Sequence, residues 1–128
     1  MIVAGIGCRK GATTASVVAA VHAAVSKQGI GIAALDALAT LRLKQHEDGI
    51  VAAGRALSLE LIIVDETDAN AAAERALTMS ERSFAANGTR SASETAALAA
   101  AGPNSRLLAP RLALGDVTCA LATDEAAP

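Results

Sequence analysis

The first thirty residues constrain this fold more than any other stretch. Ile2 to Ile6 is a short apolar run ending at Gly7, the pattern of a buried strand. Thr13 or Thr14 then stands where a helix is capped. Val17, Val18, Val21 and Val25 recur at helical spacing through about Gln28. Gly29 and Gly31 stop that helix. A strand that hands over to an amphipathic helix through a glycine-rich turn is a βα unit, which commits the chain to an α/β architecture.

The alternation continues. Ala37 to Leu41, within the stretch Leu35 to Leu43, predicts a second strand, and His46 to Leu57 an amphipathic helix facing inward with Ile50, Ala53 and Leu57. Glu60 to Asp65 holds an unbroken apolar run bounded by acids, the clearest strand of all. Asp68 is placed to cap an alanine-rich helix through about Leu77. Ser80 to Ala86 predicts a further short helical turn, with Ser80 and Ser83 as local caps and Asn87-Gly88 as its stop. Ser91 begins a helix to Ala100, closed by Gly102-Pro103. Two last runs, Arg106 to Ala113 and Val117 to Thr123, flank Leu114-Gly115-Asp116, a hairpin signal that makes the final strand antiparallel. The expected product is one domain over residues 1–128, a three-layer α/β/α sandwich with a mixed sheet.

Composition narrows the function classes. A chain of 128 residues, 52% hydrophobic and 19% charged, buries about two thirds of its unfolded surface and folds without disulfide or metal. A net charge of −2 and a lone aromatic, Phe84, argue against nucleic acid, which wants a basic field and stacking platforms. Mean hydropathy is +0.40, largely from alanine. The longest apolar stretches, Ala15 to Val25 and Leu107 to Leu114, are interrupted by His22 and by Pro110-Arg111. Both fall short of the roughly 20 residues that span a bilayer. Cys8 and Cys119 lie far apart without metal-ligand spacing. The expectation is a reduced, cytoplasmic protein without membrane span, leader, metal site or cofactor of its own, with a homo-oligomer left open.

Gly5-Ile6-Gly7-Cys8-Arg9-Lys10-Gly11 occupies the carboxyl end of the first strand, where α/β sheets bind their ligands. Glycines let a ligand approach the backbone, free amides favour an anion, and Arg9 and Lys10 add positive charge. The turn fits neither nucleotide motif: Lys10 stands where the dinucleotide fingerprint needs glycine, and no glycine pair has Walker spacing. Cys8 is a nucleophile if the helix start and its basic neighbours favour the thiolate. With no histidine beside it, a buried or ligand-lining role is the preferred reading. Lys44 and Glu47 either pair as surface ions or line the same cleft, with Thr40 donating a hydrogen bond. Ser91-x-x-Glu94 matches a capping box, which outweighs an acid–base role for Glu94. Ser91 and Ser93 still stand where a helix start meets an anion. His22 is expected at a packed or edge position, His46 in solvent and Cys119 in the core.

The turn Gly5 to Gly11 resembles the opening signature of the CobE family and of the C-terminal domain of CbiG, both of cobalamin biosynthesis. Further blocks follow in family order: Ala39-Thr40 with Lys44 and Glu47, Ser91 to Leu98, and Val117 to Ala122. Arg42 departs from the pattern, standing where an acid is usual, which puts in doubt any acid of that block. The resemblance implies a role in building the corrin ring, with a precorrin-type tetrapyrrole as ligand and other pathway enzymes as possible partners. Its ligand-binding candidates are Gly5, Gly7, Cys8, Arg9, Lys10, Gly11, Thr40, Lys44, Ser91 and Ser93. Binding and presentation of the precursor is the preferred reading. The alternatives are a CbiG-like hydrolase that opens a precorrin lactone and releases acetaldehyde, with Cys8, Glu47 and Glu94 as catalytic candidates, and a module that docks on a pathway enzyme.

Overall fold

The structure, a computed structural model, describes residues 1–77 and 91–125. Strands β1 (Ile2–Cys8), β2 (Ala37–Leu41), β3 (Glu60–Val64), β4 (Arg106–Leu107), β5 (Leu112–Leu114) and β6 (Val117–Thr123) form one mixed, open sheet. Its order is β3-β2-β1-β6-β4, with β5 also paired to β6. β1, β2 and β3 run parallel, whereas β6 is antiparallel to β1, β4 and β5. Helices α1 (Thr14–Lys27), α2 (Asp48–Ala56), α3 (Glu66–Ala72) and α4 (Ala92–Ala101) cover both faces, giving the expected three-layer α/β/α sandwich.

The alternation of side chains along each strand builds two cores. Ala4 and Ile6 of β1 join Val17, Val21, Leu38, Ile50 and Leu121 beneath α1 and α2. Val3 joins Ala39, Leu41, Val64, Ala97 and Leu98 beneath α3 and α4. Each fully buried Val, Leu or Ile contributes about 1.5–3 kcal/mol, so the small alanines cost core energy but let helices approach closely.

Local chemistry sets the element ends. The Thr13 side chain accepts from the Ser16 amide to start α1, and Gly29, at φ +70°, takes the chain out of it. Gly115, at φ +60°, forms the two-residue β5–β6 turn with Asp116.

Several boundaries differ from expectation. β1 extends past Ile6 because Gly7 and Cys8 keep pairing with Thr118 and Val117 of β6. The cap of α3 is Asp65, whose side chain accepts from the Asp68 amide, and not Asp68. That helix ends at Ala72 and gives way to a single tight turn, Ala73–Arg75. The run from Arg106 divides into β4 and β5 around Pro110, which has no amide to give the ladder. His22 is exposed on α1 rather than packed, and α2 begins at Asp48, two residues after His46. The turn expected over Ser80 to Ala86, its Ser80 and Ser83 caps and the Asn87-Gly88 stop lie outside the described residues.

Candidate functional site

The β1–β2 ladder ends at the pair Gly5 and Ala39, although both strands continue. Beyond it β1 stays with β6, and β2 stays with β3 through Thr40 and Leu41. The buried Thr40 hydroxyl donates to the Ile6 carbonyl at 3.0 Å, replacing the missing ladder bond where the two strands part. Thr40 is thus a structural donor that bridges β1 and β2 where their ladder ends.

Two loops rise from these strand ends. The loop after β1 carries Arg9, Lys10 and Gly11. The one after β2 makes a tight turn, Arg42–Lys44, before Glu47 starts α2. They meet through Glu47, whose Oε1 accepts a hydrogen bond from the Gly11 amide. Gly49 seats α2 against the first loop, since a Cβ there would stand 2.2 Å from the Ala12 carbonyl oxygen. A glycine in a helical first turn was the one sequence signal for this approach.

Of the two predicted cations, Arg9 leans toward the β5–β6 turn. Its amide donates to the Asp116 carbonyl at 3.0 Å, and its Nε lies 3.7 Å from Asp116 Oδ1. Both side chains are more than 60% exposed, so the pair is worth little. Among the described residues, Lys10, Arg42 and Lys44 have no ion-pair partner. Leu43, in the tight turn after β2, is 62% exposed, and Leu114, the last residue of β5 before the turn that Arg9 reaches, is 44% exposed. Neither leucine was singled out from the sequence.

The glycines of β1 serve packing. A Cβ on Gly5 would lie 2.0 Å from the Ser93 carbonyl oxygen, and one on Gly7 would lie 2.8 Å from Thr118 Oγ1. The space they vacate is filled by α4 and β6. Gly11, at φ +83° with nothing within 4 Å of its Cβ position, is the glycine of this segment that faces open space.

Cys8 is half-buried, and its thiol pKa is pushed above the ordinary value by desolvation. Lys44 pulls it down and Glu47 pushes it up. Desolvation outweighs any lowering by the neighbouring cations, because the sulfur sits against the α1/α2 core.

Ser91, Ser93 and Glu94 are fully buried. Ser91 Oγ accepts from the Glu94 amide at 3.4 Å and lies 3.4 Å from Ser93 Oγ. The Glu94 carboxylate accepts from the Leu77 amide at 2.9 Å and the Arg111 amide at 2.8 Å, joining α4 to two distant segments. At the other end of α4, Arg75 donates to the Ser105 carbonyl at 2.6 Å and to its Oγ at 2.7 Å. Ser105 Oγ in turn donates to the Leu98 carbonyl at 2.8 Å, so the helix's terminal carbonyls find donors. Among the described residues no group of three or more His, Cys, Asp or Glu is arranged to hold a metal, and no helix is long and apolar enough to cross a membrane.

The class defined here is an α/β/α sandwich whose parallel strands part at a loop edge bearing cations and exposed leucines. Within that class the chain belongs to the family described as cobalamin synthesis G C-terminus, whose model matches residues 2–122. The protein CobE of Sinorhizobium sp is 29% identical over 121 residues, covering 94% of this chain and 79% of that one. A solved CobE, described as a protein from the cobalamin (vitamin B12) biosynthetic pathway, superposes with a TM-score of 0.90 at 28% identity. The match covers 95% of this chain and 89% of that chain. The cobalamin biosynthesis protein chiG from Agrobacterium tumefaciens str. C58 is 48% identical, with a TM-score of 0.77, over 96% and 98% of the two chains. A cobalamin biosynthesis protein G homologue from Sulfolobus solfataricus shares the fold at 20% identity and a TM-score of 0.70, over 97% of this chain and 37% of that one. This chain is a cobalamin biosynthesis pathway protein.

Proposed function

We propose that this protein binds a precorrin-type tetrapyrrole at the loop edge where β1 and β2 part. The carrying observation is the combination there of Lys10, Arg42 and Lys44, unpaired among the described residues, with the exposed Leu43, and with Leu114 exposed at the β5–β6 turn that Arg9 reaches. A precorrin is an apolar macrocycle fringed with acetate and propionate groups, so exposed leucines suit its face and lysines its rim. Arg9 is partly committed to Asp116 and contributes less. Ser91, Ser93, Gly5 and Gly7 support the edge from within.

Binding is favoured over hydrolysis by what holds two of the three catalytic candidates. The Cys8 thiol is pushed up by desolvation, and Glu94 is buried against backbone amides. The test is co-elution of a metal-free corrin precursor with the protein on a sizing column at low salt. With no Trp or Tyr, the protein leaves the tetrapyrrole bands clear. Co-elution should weaken as salt rises and fall about tenfold in a Lys10→Ala, Lys44→Ala double variant, at about 0.7 kcal/mol per exposed charge pair. Absence of pigment at low salt overturns the reading. Acetaldehyde from protein and precursor would establish the hydrolytic alternative.

A further inference from the structure

Glu47 is an unusual residue to find at the start of a helix. Its backbone carbonyl accepts from the Ile50 and Val51 amides to begin α2, yet its side chain makes no capping bond to that helix. The carboxylate reaches instead to the amide of Gly11, 36 residues earlier in the chain. Gly11 is held in the left-handed region at φ +83°, and nothing lies within 4 Å of its Cβ position, so its outer side is open. Lys10 precedes it, and Lys44 stands three residues before Glu47, both without an ion-pair partner among the described residues.

Resting on the binding reading above, we infer that the Gly11 amide, with Lys10 and Lys44, is the seat for one rim carboxylate of the ligand, and that Glu47 occupies this seat until the ligand displaces it. The first loop and α2 also meet at Gly49, whose missing Cβ leaves room for the Ala12 carbonyl oxygen, so the Glu47 bond is not their one point of contact. The bond is also exposed, so a carboxylate arriving from solvent can exchange with Glu47 at little cost. Both carboxylates make the same charge-assisted bond, and the entering one gains by the macrocycle's contact with Leu43 and Leu114. Glu47 thereby sets a threshold: a ligand with a single carboxylate and no apolar body competes poorly, whereas a polycarboxylate ring competes well.

The test measures binding of an octacarboxylic porphyrin to the wild type, Glu47→Gln and Glu47→Ala, with the octamethyl ester of the same porphyrin as control. Removing the competitor should tighten binding about fivefold in Glu47→Ala, the worth of one net hydrogen bond, and by less in Glu47→Gln. The ester should gain nothing from either substitution. In the free Glu47→Ala protein the Gly11 amide should exchange faster with solvent, and the porphyrin should restore its protection. If porphyrin binds the wild type but the variants bind no more tightly, Glu47 is a strut and the inference falls while the binding reading stands. Tight binding that leaves Gly11 unprotected places the carboxylate elsewhere and also overturns it. If neither wild type nor variants take up porphyrin, both fall together. Glu47→Gln keeps an oxygen acceptor for Gly11 and remains informative should the alanine variant fail to fold.

Discussion

The two cysteines show how environment separates identical residues. Cys119 lies within β6, and burial pushes its pKa up to about 12. Cys8 ends β1, half-buried, between the opposing influences of Lys44 and Glu47. Iodoacetamide should therefore label Cys8 and spare Cys119 in the folded protein, with mass spectrometry after digestion as the readout; equal labelling would contradict the burial. The Cys8 rate–pH profile should move to higher pH in Lys44→Met, which removes the lowering influence, and to lower pH in Glu47→Gln, which removes a raising one. For Cys119 the folded pKa lies above the unfolded one, so the folded state holds the extra proton. Its stabilising contribution is complete below about pH 9 and is lost as pH rises toward 12. The loss amounts to as much as about 4 kcal/mol and should be absent in Cys119→Ala, as chemical denaturation at several pH values would register. The core place of Cys119 was legible from its apolar strand. The raised Cys8 thiol was not, since Lys44 and Glu47 are remote in sequence and desolvation depends on how α1 and α2 close over the strand end.

At the scale of elements, the glycine-rich opening carries more packing than its sequence advertised. Gly5 faces the backbone of α4, and Gly7 faces the Thr118 hydroxyl, which donates to the Gly7 carbonyl at 3.4 Å. Gly5→Ala must push α4 off the sheet and should cost about 3 kcal/mol, whereas Gly7→Ala needs only a hydroxyl to move and should cost about 1 kcal/mol. Urea unfolding of the two variants measures the difference; equal costs would mean that α4 yields easily. Glu94 belongs to the same scale. The Ser-x-x-Glu pattern correctly located a helix start, with Ser91 as the cap. The carboxylate accepts amides from Leu77 and Arg111, an arrangement that depends on segments 17 residues away on either side. Glu94→Ala leaves those part-buried amides without this acceptor and should destabilise by about 2–3 kcal/mol. Glu94→Gln keeps one carbonyl oxygen for them and should lose less. A catalytic role without structural weight predicts the opposite: full stability in both variants and lost turnover. The helix and strand spans were readable because periodicity and caps are local. The missed α3 cap reflects two aspartates three residues apart, of which only the fold decides which one caps.

At the scale of the whole molecule, the fold depends on its last strand. β6 pairs with all seven residues of β1, from Ile2 with Thr123 to Cys8 with Val117, whereas β2 pairs with three. β6 also supplies both cores, with Val117, Cys119 and Leu121 under α1 and Ala122 under α4. Alternating strands and helices, together with the Gly-Asp turn, made a mixed α/β/α sandwich legible. The insertion of β6 between β1 and β4 was not, because strand order is written in contacts more than a hundred residues apart rather than in local pattern. This topology makes a definite demand on folding. Parallel β1, β2 and β3 with their helices form a contiguous βαβαβ unit, yet in this protein β1 has little backbone pairing until residues 117–123 arrive. A chain ending at Asp116 should therefore lack cooperative unfolding and most native methyl NMR dispersion, because both cores open at once. In the intact protein the slowest amide exchange should map to β1 and β6 rather than to edge strand β3, since the central pair opens only with the whole molecule. Cooperative unfolding of the truncated chain, or slowest exchange in β3, would show that the parallel unit holds by itself. The opening between β1 and β2 would then be a hinge between two stable parts rather than a cleft in one.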